Sequence, residues 1–100
     1  MVIKQTEVYT KWFQKLKDAR LIARIQVRLK KLAKENYFGE IGQIKPASCG
    51  VGEMIIHYGA GYRLYYKQKN ANTVVLLLCA GSKGTQALDI ERAKKLAREN

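Results

Sequence analysis

Residues 53–67 read EMIIHYGAGYRLYYK, and this stretch decides how the centre of the chain folds. Two runs that alternate with a period of two flank the glycine-rich segment Gly59-Ala60-Gly61. Such a break between alternating runs predicts a β-hairpin. If these three residues form the loop, His57 pairs directly with Arg63 across the two strands. A two-residue loop would shift the register and separate His57 from Arg63.

The alternation assigns the side chains of this hairpin to two faces of the sheet. One face is wholly apolar or aromatic and is predicted to face the core: Met54, Ile56, Tyr58, Tyr62, Leu64 and Tyr66. The other is predicted to be an open surface that carries an imidazole, a guanidinium, a phenol and an amine: Ile55, His57, Arg63, Tyr65 and Lys67. In the same register, Glu53 lies opposite Lys67 and is expected to form a cross-strand ion pair with it.

The first third of the chain is predicted to be helical after one short strand over residues 2–5. Thr6 is placed to cap a first helix. The apolar residues of that helix recur at helical spacing: Tyr9, Trp12, Phe13 and Leu16. After a break at Lys17-Asp18, a second helix is predicted from about residue 19 to residue 34. Two helices joined so closely predict an antiparallel hairpin.

The segments after residue 39 predict strands and one last helix. Residues 41–45 form a candidate strand, residues 69–72 a turn, and residues 73–80 an apolar strand covered on both faces. Thr85 can cap the last helix, whose inward residues are Ile90, Ala93, Leu96 and Ala97. The order β-α-α-β-β-β-β-α is an α+β fold in which a helical hairpin packs on a curved, mostly antiparallel sheet. Residues 1–100 are expected to form a single domain.

Composition excludes several classes of protein. The 100 residues carry 19 Lys and Arg against 8 Asp and Glu, a net charge of +11. This excess predicts a polyanionic partner, with nucleic acid first and an acidic protein second. The longest apolar stretch, residues 74–80, is too short to cross a bilayer, and no signal peptide is recognisable, so a cytoplasmic protein is expected. Cys49 and Cys79 are expected to be free thiols, and no spacing indicates a metal site.

Most of the excess charge lies on the predicted helical hairpin. Residues 1–36 hold ten basic and three acidic side chains. On the second helix, the basic residues fall opposite the apolar stripe: Arg20, Arg24, Arg28 and Lys31. A solvated helix face is the ordinary explanation of such a pattern. Because so few acidic residues alternate with the basic ones, we favour a face that attracts phosphate groups.

The open face of the hairpin has the groups needed to cleave RNA without a metal. The reaction removes a proton from the 2′-hydroxyl, neutralises charge at phosphorus and gives a proton to the leaving 5′-oxygen. Arg63 suits the phosphate because its planar fork can bind two oxygens. His57 could act as base or acid, and Tyr65 could stack on a base or pass a proton. The alternative is an ordinary half-exposed strand surface with no catalytic role.

The segment Gly81-Ser82-Lys83-Gly84-Thr85 joins the apolar strand to the last helix. A turn before a helix is a suitable place for an anion, and Lys83 is a candidate phosphate contact. The spacing of a Walker loop is absent, so use of ATP is not indicated. A plain structural turn explains the segment equally well.

Several blocks of this sequence resemble the RelE/ParE superfamily of toxins. The resemblance rests on Gly59-x-Gly61-Tyr62-Arg63-Leu64-Tyr65-Tyr66 and on the block from Val74 to Ile90, which contains Gly81, Lys83, Thr85 and Asp89. Upstream, Trp12-Phe13-x-x-Leu16-Lys17-Asp18, Ala23-Arg24-Ile25-x-x-Arg28-Leu29 and Lys45-Pro46 before Gly50-Val51-Gly52-Glu53-Met54 resemble the same proteins. The resemblance is strongest to the HigB-like branch, also described as phage-derived addiction-module killer proteins, and it covers nearly the whole chain.

The resemblance implies a RelE-type fold and a toxin of a type II toxin-antitoxin module. Such a toxin cleaves messenger RNA in the ribosomal A site without a metal or other cofactor, leaves a cyclic phosphate, and is paired with a helix-turn-helix antitoxin. By position, Arg63 matches the arginine of the family's Tyr-Arg-Leu strand, and Lys83 matches a basic residue after the last strand. Lys45 lies where the branch commonly keeps a lysine, and His57 where RelE itself has a basic residue.

The sequence also departs from the family pattern. Ile55 stands where many relatives carry arginine, Ser82 where the branch often has aspartate, and the last helix has no tyrosine. The ParE side of the superfamily inhibits DNA gyrase without cutting RNA. The sequence therefore leaves three functions open: a ribosome-dependent endoribonuclease, a gyrase inhibitor and a non-catalytic nucleic-acid-binding protein.

Overall fold

Five strands and three helices follow one another in the predicted order in the computed structural model, which describes residues 1–71 and 73–100. The elements are β1 (Val2–Gln5), α1 (Glu7–Gln14), α2 (Ala19–Glu35), β2 (Ile41–Gln43), β3 (Gly52–Ile56), β4 (Tyr62–Lys69), β5 (Val74–Ser82) and α3 (Gln86–Glu99). Short 3-10 helices cover Ala47–Cys49 and Lys83–Thr85. The α+β prediction is confirmed.

The strands form one sheet in the order β1-β5-β4-β3-β2. Strand β1 pairs with β5 in parallel, and the other neighbouring pairs are antiparallel, which confirms the mostly antiparallel sheet. Strand β5 lies inside the sheet and is buried from Val74 to Gly81. Its continuous apolar run fits this position, because a strand covered on both faces has no solvated side to fill with polar residues.

Capping groups fix where the first two helices begin. The Thr6 hydroxyl accepts from the Tyr9 amide at 3.1 Å, as the sequence predicts. The Asp18 carboxylate accepts from the amides of Arg20 and Leu21, so the break at residues 17–18 is the N-cap of α2. These bonds satisfy amides that have no partner inside a helix. Helix α2 ends at Asn36, whose φ of 55° turns the chain away.

Two apolar clusters pack on opposite faces of the sheet. The first contains residues of α1 and α2 with the predicted inner face of the hairpin, among them Tyr9, Ile25, Met54 and Leu64. The second lies under α3 and includes Ala93 and Ala97. Both faces of the sheet are therefore covered over part of their area, and what stays open is the end of the sheet near the β3–β4 turn.

The register of the hairpin differs from the prediction. Ile56 pairs with Tyr62 and Ile55 with Arg63, so residues 57–61 form a five-residue connection. His57 does not lie opposite Arg63, and that prediction is wrong. The Gly61 amide donates to the Tyr58 carbonyl at 2.9 Å, which closes the turn outside the strand ladder. Because the observed strand pairing differs from the predicted one by two residues, an even number, the strand side chains of the hairpin stay on the predicted faces of the sheet.

Three further expectations concern the remainder of the chain. No helix within residues 1–71 and 73–100 has the length and apolar character needed to cross a bilayer. In the predicted turn over residues 69–72, Asn70 and Ala71 have φ values of 52° and 54°, and Asn72 lies outside the described residues. Cys79 is buried, Cys49 is half-buried, and both are free thiols.

Candidate functional site

A cleft of about 390 Å³ lies at the open end of the sheet. It is lined by residues 55–61 together with Arg63 and Lys83. The pairing of Arg63 with Gly81 brings the end of β5 beside the start of β4. The Lys83 amide then donates to the Gly61 carbonyl at 2.9 Å, which fixes Lys83 beside the turn. The fold thus brings three of the predicted site residues, His57, Arg63 and Lys83, to one cleft.

Arg63 is held against a carboxylate at the base of this cleft. Its Nε lies 3.4 Å from Glu53 Oε1, and the two side chains are only 18% and 11% exposed. Glu53 lies opposite Tyr65 on the neighbouring strand, so the expected Glu53–Lys67 pair does not form. Arg63, which the sequence predicts to lie on an open surface, is half-buried, and Glu53 partly neutralises its charge.

Tyr65 is buried, and the prediction that it lies on an open surface is wrong. Its exposed fraction is 0%, and it belongs to the apolar cluster under α3. Burial, with a smaller effect of the Glu53 charge, raises the pKa of its hydroxyl well above the ordinary tyrosine value. A phenol in this position can neither stack on a nucleotide base nor exchange protons with one. The sequence did not indicate that α3 covers this face.

His57 lies at the rim of the cleft and pairs with an acidic residue. Its Nε2 is 2.9 and 3.0 Å from the two carboxylate oxygens of Glu40, which directly precedes β2. The imidazole side chain remains 74% exposed. Because Nε2 faces an acceptor, the contact favours the tautomer with the proton on Nε2 and leaves Nδ1 as the free acceptor.

The turn that forms one wall of the cleft is tied to the helical layer. The Tyr58 hydroxyl donates to both carboxylate oxygens of Asp18, at 3.0 and 2.9 Å. This bond, with the amide bonds of the helix cap, lowers the pKa of Asp18. The Arg24 guanidinium lies 5.1 Å from the centre of the Tyr58 ring, on the same side. Residue 58 is thereby drawn out of the strand ladder, which explains the longer connection.

Arg28 is used inside the protein, which corrects its assignment as an RNA contact. Its guanidinium donates to the carbonyls of Ile55 at 2.6 Å, Phe38 at 2.7 Å and Glu40 at 3.0 Å. Burial lowers its pKa. Gly39 leaves the space for it, since a Cβ at that position would lie 2.6 Å from Arg28 Nε. Arg28 therefore holds the α2–β2 connection against β3.

The other residues assigned to RNA binding separate into two groups. Lys67 is half-buried, and its Nζ donates to the Ala97 carbonyl at 2.8 Å. Its ammonium therefore binds the C-terminal end of α3 and does not lie on an open face of the sheet. The second group is exposed and consists of Arg20, Arg24, Lys31 and Lys45. Arg20 and Arg24 line a groove of about 580 Å³ that shares residues 55–57 with the cleft.

The acidic residues around the cleft were largely missed at the level of sequence. Asp18 contacts Tyr58, and Glu40 contacts His57. Glu53 contacts Arg63. The sequence holds no signal for this grouping, because residues 18, 40 and 53 are distant from one another in the chain. A fourth, Asp89, is buried at the start of α3 and accepts from the Thr85 hydroxyl at 2.6 Å.

The chemical resources of the site are cations and one imidazole. In the part of the chain that the structure describes, no three His, Cys, Asp or Glu side chains form a group that could hold a metal ion. Arg63 and Lys83 can bind phosphate oxygens, and His57 can exchange a proton. Such a set can bind and polarise a phosphodiester.

Three solved structures with a similar architecture are one free toxin and two toxin-antitoxin complexes. A free-state structure of Escherichia coli toxin RelE, carrying two arginine-to-alanine mutations, superposes with a TM-score of 0.66 and covers 94% of this chain and 93% of that one at 15% identity. The intact E. coli RelBE complex gives a TM-score of 0.60, 16% identity, and coverage of 81% and 94%. The RelBE2 complex of Mycobacterium tuberculosis gives 0.60, 20% identity, and coverage of 82% and 96%. The protein has the RelE fold.

The resemblance to RelE/ParE proteins is thus confirmed for the fold. A protein of Haemophilus influenzae described only as uncharacterized is 44% identical over 97 residues, which are 97% of this chain and 93% of that protein. The RelE-fold chain belongs to the same family as that protein. No protein-family model matches the sequence. The HigB-like branch stays a prediction.

Proposed function

We propose that this RelE-fold protein is the toxin of a type II toxin-antitoxin module and a ribosome-dependent endoribonuclease that cuts messenger RNA without a metal. One observation carries the proposal: the fold brings His57, Arg63 and Lys83 to a single cleft at the open end of the sheet. These residues lie far apart in the sequence, and they supply a proton-transfer group and two phosphate ligands.

Each residue has a distinct part in the proposed reaction. Arg63 binds the non-bridging oxygens of the scissile phosphate, where its delocalised charge counters the charge that develops on phosphorus. Glu40 holds His57 with Nδ1 free to accept the proton of the 2′-hydroxyl. Lys83 lines the same cleft, and its ammonium gives a proton to the leaving 5′-oxygen. Attack of the 2′-oxygen breaks the bond to the 5′-oxygen and leaves a 2′,3′-cyclic phosphate.

The exposed cations of α2 and of the segment that follows β2 give the protein its proposed ribosomal contacts. Arg20, Arg24 and Lys31 lie along α2, and Lys45 follows β2. In a chain of net charge +11 they can bind ribosomal RNA through its phosphates. Their contribution falls with rising salt concentration, because binding releases counterions.

The proposed partner that restrains the toxin is a cognate helix-turn-helix antitoxin. Two of the similar structures are toxin-antitoxin complexes. The strong positive charge of this chain favours a partner with acidic segments. The sequence motifs resemble the HigB-like branch, and a member of that branch is expected to have this kind of antitoxin.

The proposal is tested by brief induction in cells followed by mapping of transcript ends. The wild-type protein is expected to produce new ends within translated regions, and Arg63→Ala is expected to lose them. Arg98→Ala is the matched control, because Arg98 is an exposed arginine in the last turn of α3. Unchanged cleavage by Arg63→Ala would remove the proposed mechanism.

A second candidate, a non-enzymatic inhibitor of DNA gyrase, is favoured by the state of two residues. Arg63 is paired with Glu53, and Tyr65 is buried. Burial removes Tyr65 as a proton-transfer group, and the pairing with Glu53 reduces the net charge that Arg63 brings to the cleft, so the site suits binding better than catalysis. In a purified supercoiling assay such an inhibitor would block gyrase while transcripts in induced cells stay whole.

A further inference from the structure

Three buried polar atoms without hydrogen-bond partners lie on adjoining positions of β3 and β4. They are Glu53 Oε2, Arg63 Nε and Tyr65 Oη. Glu53 is directly opposite Tyr65, and Arg63 is two residues before Tyr65 on the same face. Buried polar atoms in native proteins are nearly always paired. A cluster of this kind beside the cleft therefore calls for an explanation other than fold stability.

The Glu53 carboxylate is confined between two neighbours. On one side Oε1 lies 3.4 Å from Arg63 Nε. On the other side it lies over the backbone of Gly42, the residue that pairs with Glu53 across β2 and β3. A Cβ at position 42 would be 2.9 Å from Oε1. The absence of a side chain there leaves the room that the carboxylate occupies.

The contact fixes one edge of the guanidinium and leaves the other free. Nε is the only nitrogen of Arg63 that is both buried and without a partner in the described part of the chain. Because Arg63 lines the cleft, its two terminal nitrogens are the atoms available to a ligand. A guanidinium is planar, so a carboxylate beside Nε sets the plane in which those nitrogens lie.

A contact of 3.4 Å between two half-buried charges contributes little to stability. Removing ions from water costs about as much as their attraction returns, unless hydrogen bonds satisfy both partners. Here Glu53 Oε2 and Arg63 Nε have no hydrogen bond. The pair is better explained by the orientation that it imposes on Arg63.

We propose that Glu53 is a positioning residue, which holds Arg63 through Nε so that the terminal nitrogens of Arg63 meet a phosphate. The negative charge of Glu53 at the same time weakens RNA binding. The inference rests on the proposed nuclease function and deepens it. The orientation of Arg63 acts on the chemical step, whereas the carboxylate charge opposes the phosphate in the bound state and in the transition state alike.

These two effects predict a slower chemical step together with tighter binding in Glu53→Gln, which keeps the size of the side chain and removes its charge. We expect kcat to fall about tenfold, because a small misplacement of a catalytic group costs this much or more. We expect KM for ribosome-bound messenger RNA to fall about threefold, because one negative charge near the phosphate is gone. A variant that is merely less folded would lower kcat alone.

A second variant moves the carboxylate and keeps its charge. Gly42→Ala places a methyl group 2.9 Å from Oε1, too close for a carbon atom, and so displaces the end of the Glu53 side chain. Gly42 is not among the residues with positive φ, so alanine causes no backbone strain there. We expect kcat to fall and KM to stay at the wild-type value.

The experiment measures kcat and KM on ribosome complexes for the wild type, Glu53→Gln, Gly42→Ala and Arg63→Ala. Affinity is measured in parallel with messenger RNA whose A-site codon is 2′-O-methylated, since that codon cannot react. The expected result is a lower kcat with a lower KM for Glu53→Gln, and tighter binding of the methylated complex.

The outcomes separate this inference from the proposed function. The nuclease function is supported if the wild type cleaves and Arg63→Ala does not. In that case the role proposed for Glu53 is still wrong if Glu53→Gln matches the wild type, or if it lowers kcat without lowering KM. If Arg63→Ala cleaves as well as the wild type, the proposed mechanism itself fails.

Discussion

The hydroxyl of Tyr58 donates to both carboxylate oxygens of Asp18, and this bond joins the β3–β4 turn to the first turn of α2. Asp18 is also the N-cap of α2, so one carboxylate serves the helix and the turn. The bond accounts for the position of residue 58 outside the ladder, and hence for the separation of His57 from Arg63 along the sheet.

Tyr58→Phe is expected to loosen this wall of the cleft while the fold remains. Amide hydrogen exchange should become faster over residues 57–61 and stay unchanged in β5, because only the turn loses its anchor. Cleavage should fall with it. Tyr37→Phe is the matched control, since Tyr37 is an exposed tyrosine away from the turn. Equal exchange in both variants would contradict the anchoring role.

The same bond predicts a pH dependence of stability. Because the pKa of Asp18 is lowered in the folded state, its contribution is present above the pKa of an unfolded aspartate, about 4, and is lost as the pH falls further. The wild type should therefore be more stable than Tyr58→Phe at neutral pH, and the difference should shrink on acidification below that value. Urea unfolding of both proteins at several pH values measures it. A difference that grows on acidification would contradict this assignment.

Arg28→Ala is expected to destabilise the protein by about 2 kcal/mol or more, because it removes charge-assisted bonds to three backbone carbonyls. Arg24→Ala is the control on the same helix, as its guanidinium lies over the Tyr58 ring and Arg24 is exposed. We expect that variant to stay within about 0.5 kcal/mol of the wild type. Equal unfolding free energies for the two variants would show that Arg28 is not a structural clamp.

Tyr65→Phe is expected to keep cleavage activity and to leave stability unchanged or raise it by up to about 1 kcal/mol, because it removes a buried hydroxyl that has no partner. The measurements are thermal unfolding and cleavage of ribosome-bound messenger RNA. Loss of cleavage in a folded Tyr65→Phe would restore the catalytic role that burial argues against.

His57→Ala is expected to lower the cleavage rate about a hundredfold, as for the loss of a general base. Glu40→Gln keeps a partner for Nε2 without the charge, so its loss of rate should be smaller. Rates in single-turnover cleavage compare the two. A larger loss for Glu40→Gln than for His57→Ala would assign the reaction to the carboxylate.

The sequence was sufficient to predict the order of elements and the two faces of the hairpin. Helical and strand periodicities are local, and the period of two survives an error in loop length as long as the register moves by an even number. Met54 and Leu64 are therefore buried as predicted. The pairing of His57 with Arg63 depended on the turn, and the turn depends on Asp18, forty residues away in the chain.

The errors among the site residues also arise from contacts that are distant in sequence. Arg28 has the position of a solvated residue on α2, yet the carbonyls that bind it come from the α2–β2 connection and β3. Tyr65 has the position of an open-face residue, yet α3 covers that face. Periodicity within one element carries no information on which neighbour covers it.

We propose that the cleft of His57, Arg63 and Lys83 cuts messenger RNA on the ribosome. The most direct measurement incubates purified protein with ribosomes carrying a defined messenger RNA and identifies the new 3′ ends. With the wild type we expect a cut within the A-site codon and a 2′,3′-cyclic phosphate, and with Arg63→Ala we expect intact message. Intact message with the wild type, or equal cutting by both proteins, would contradict it.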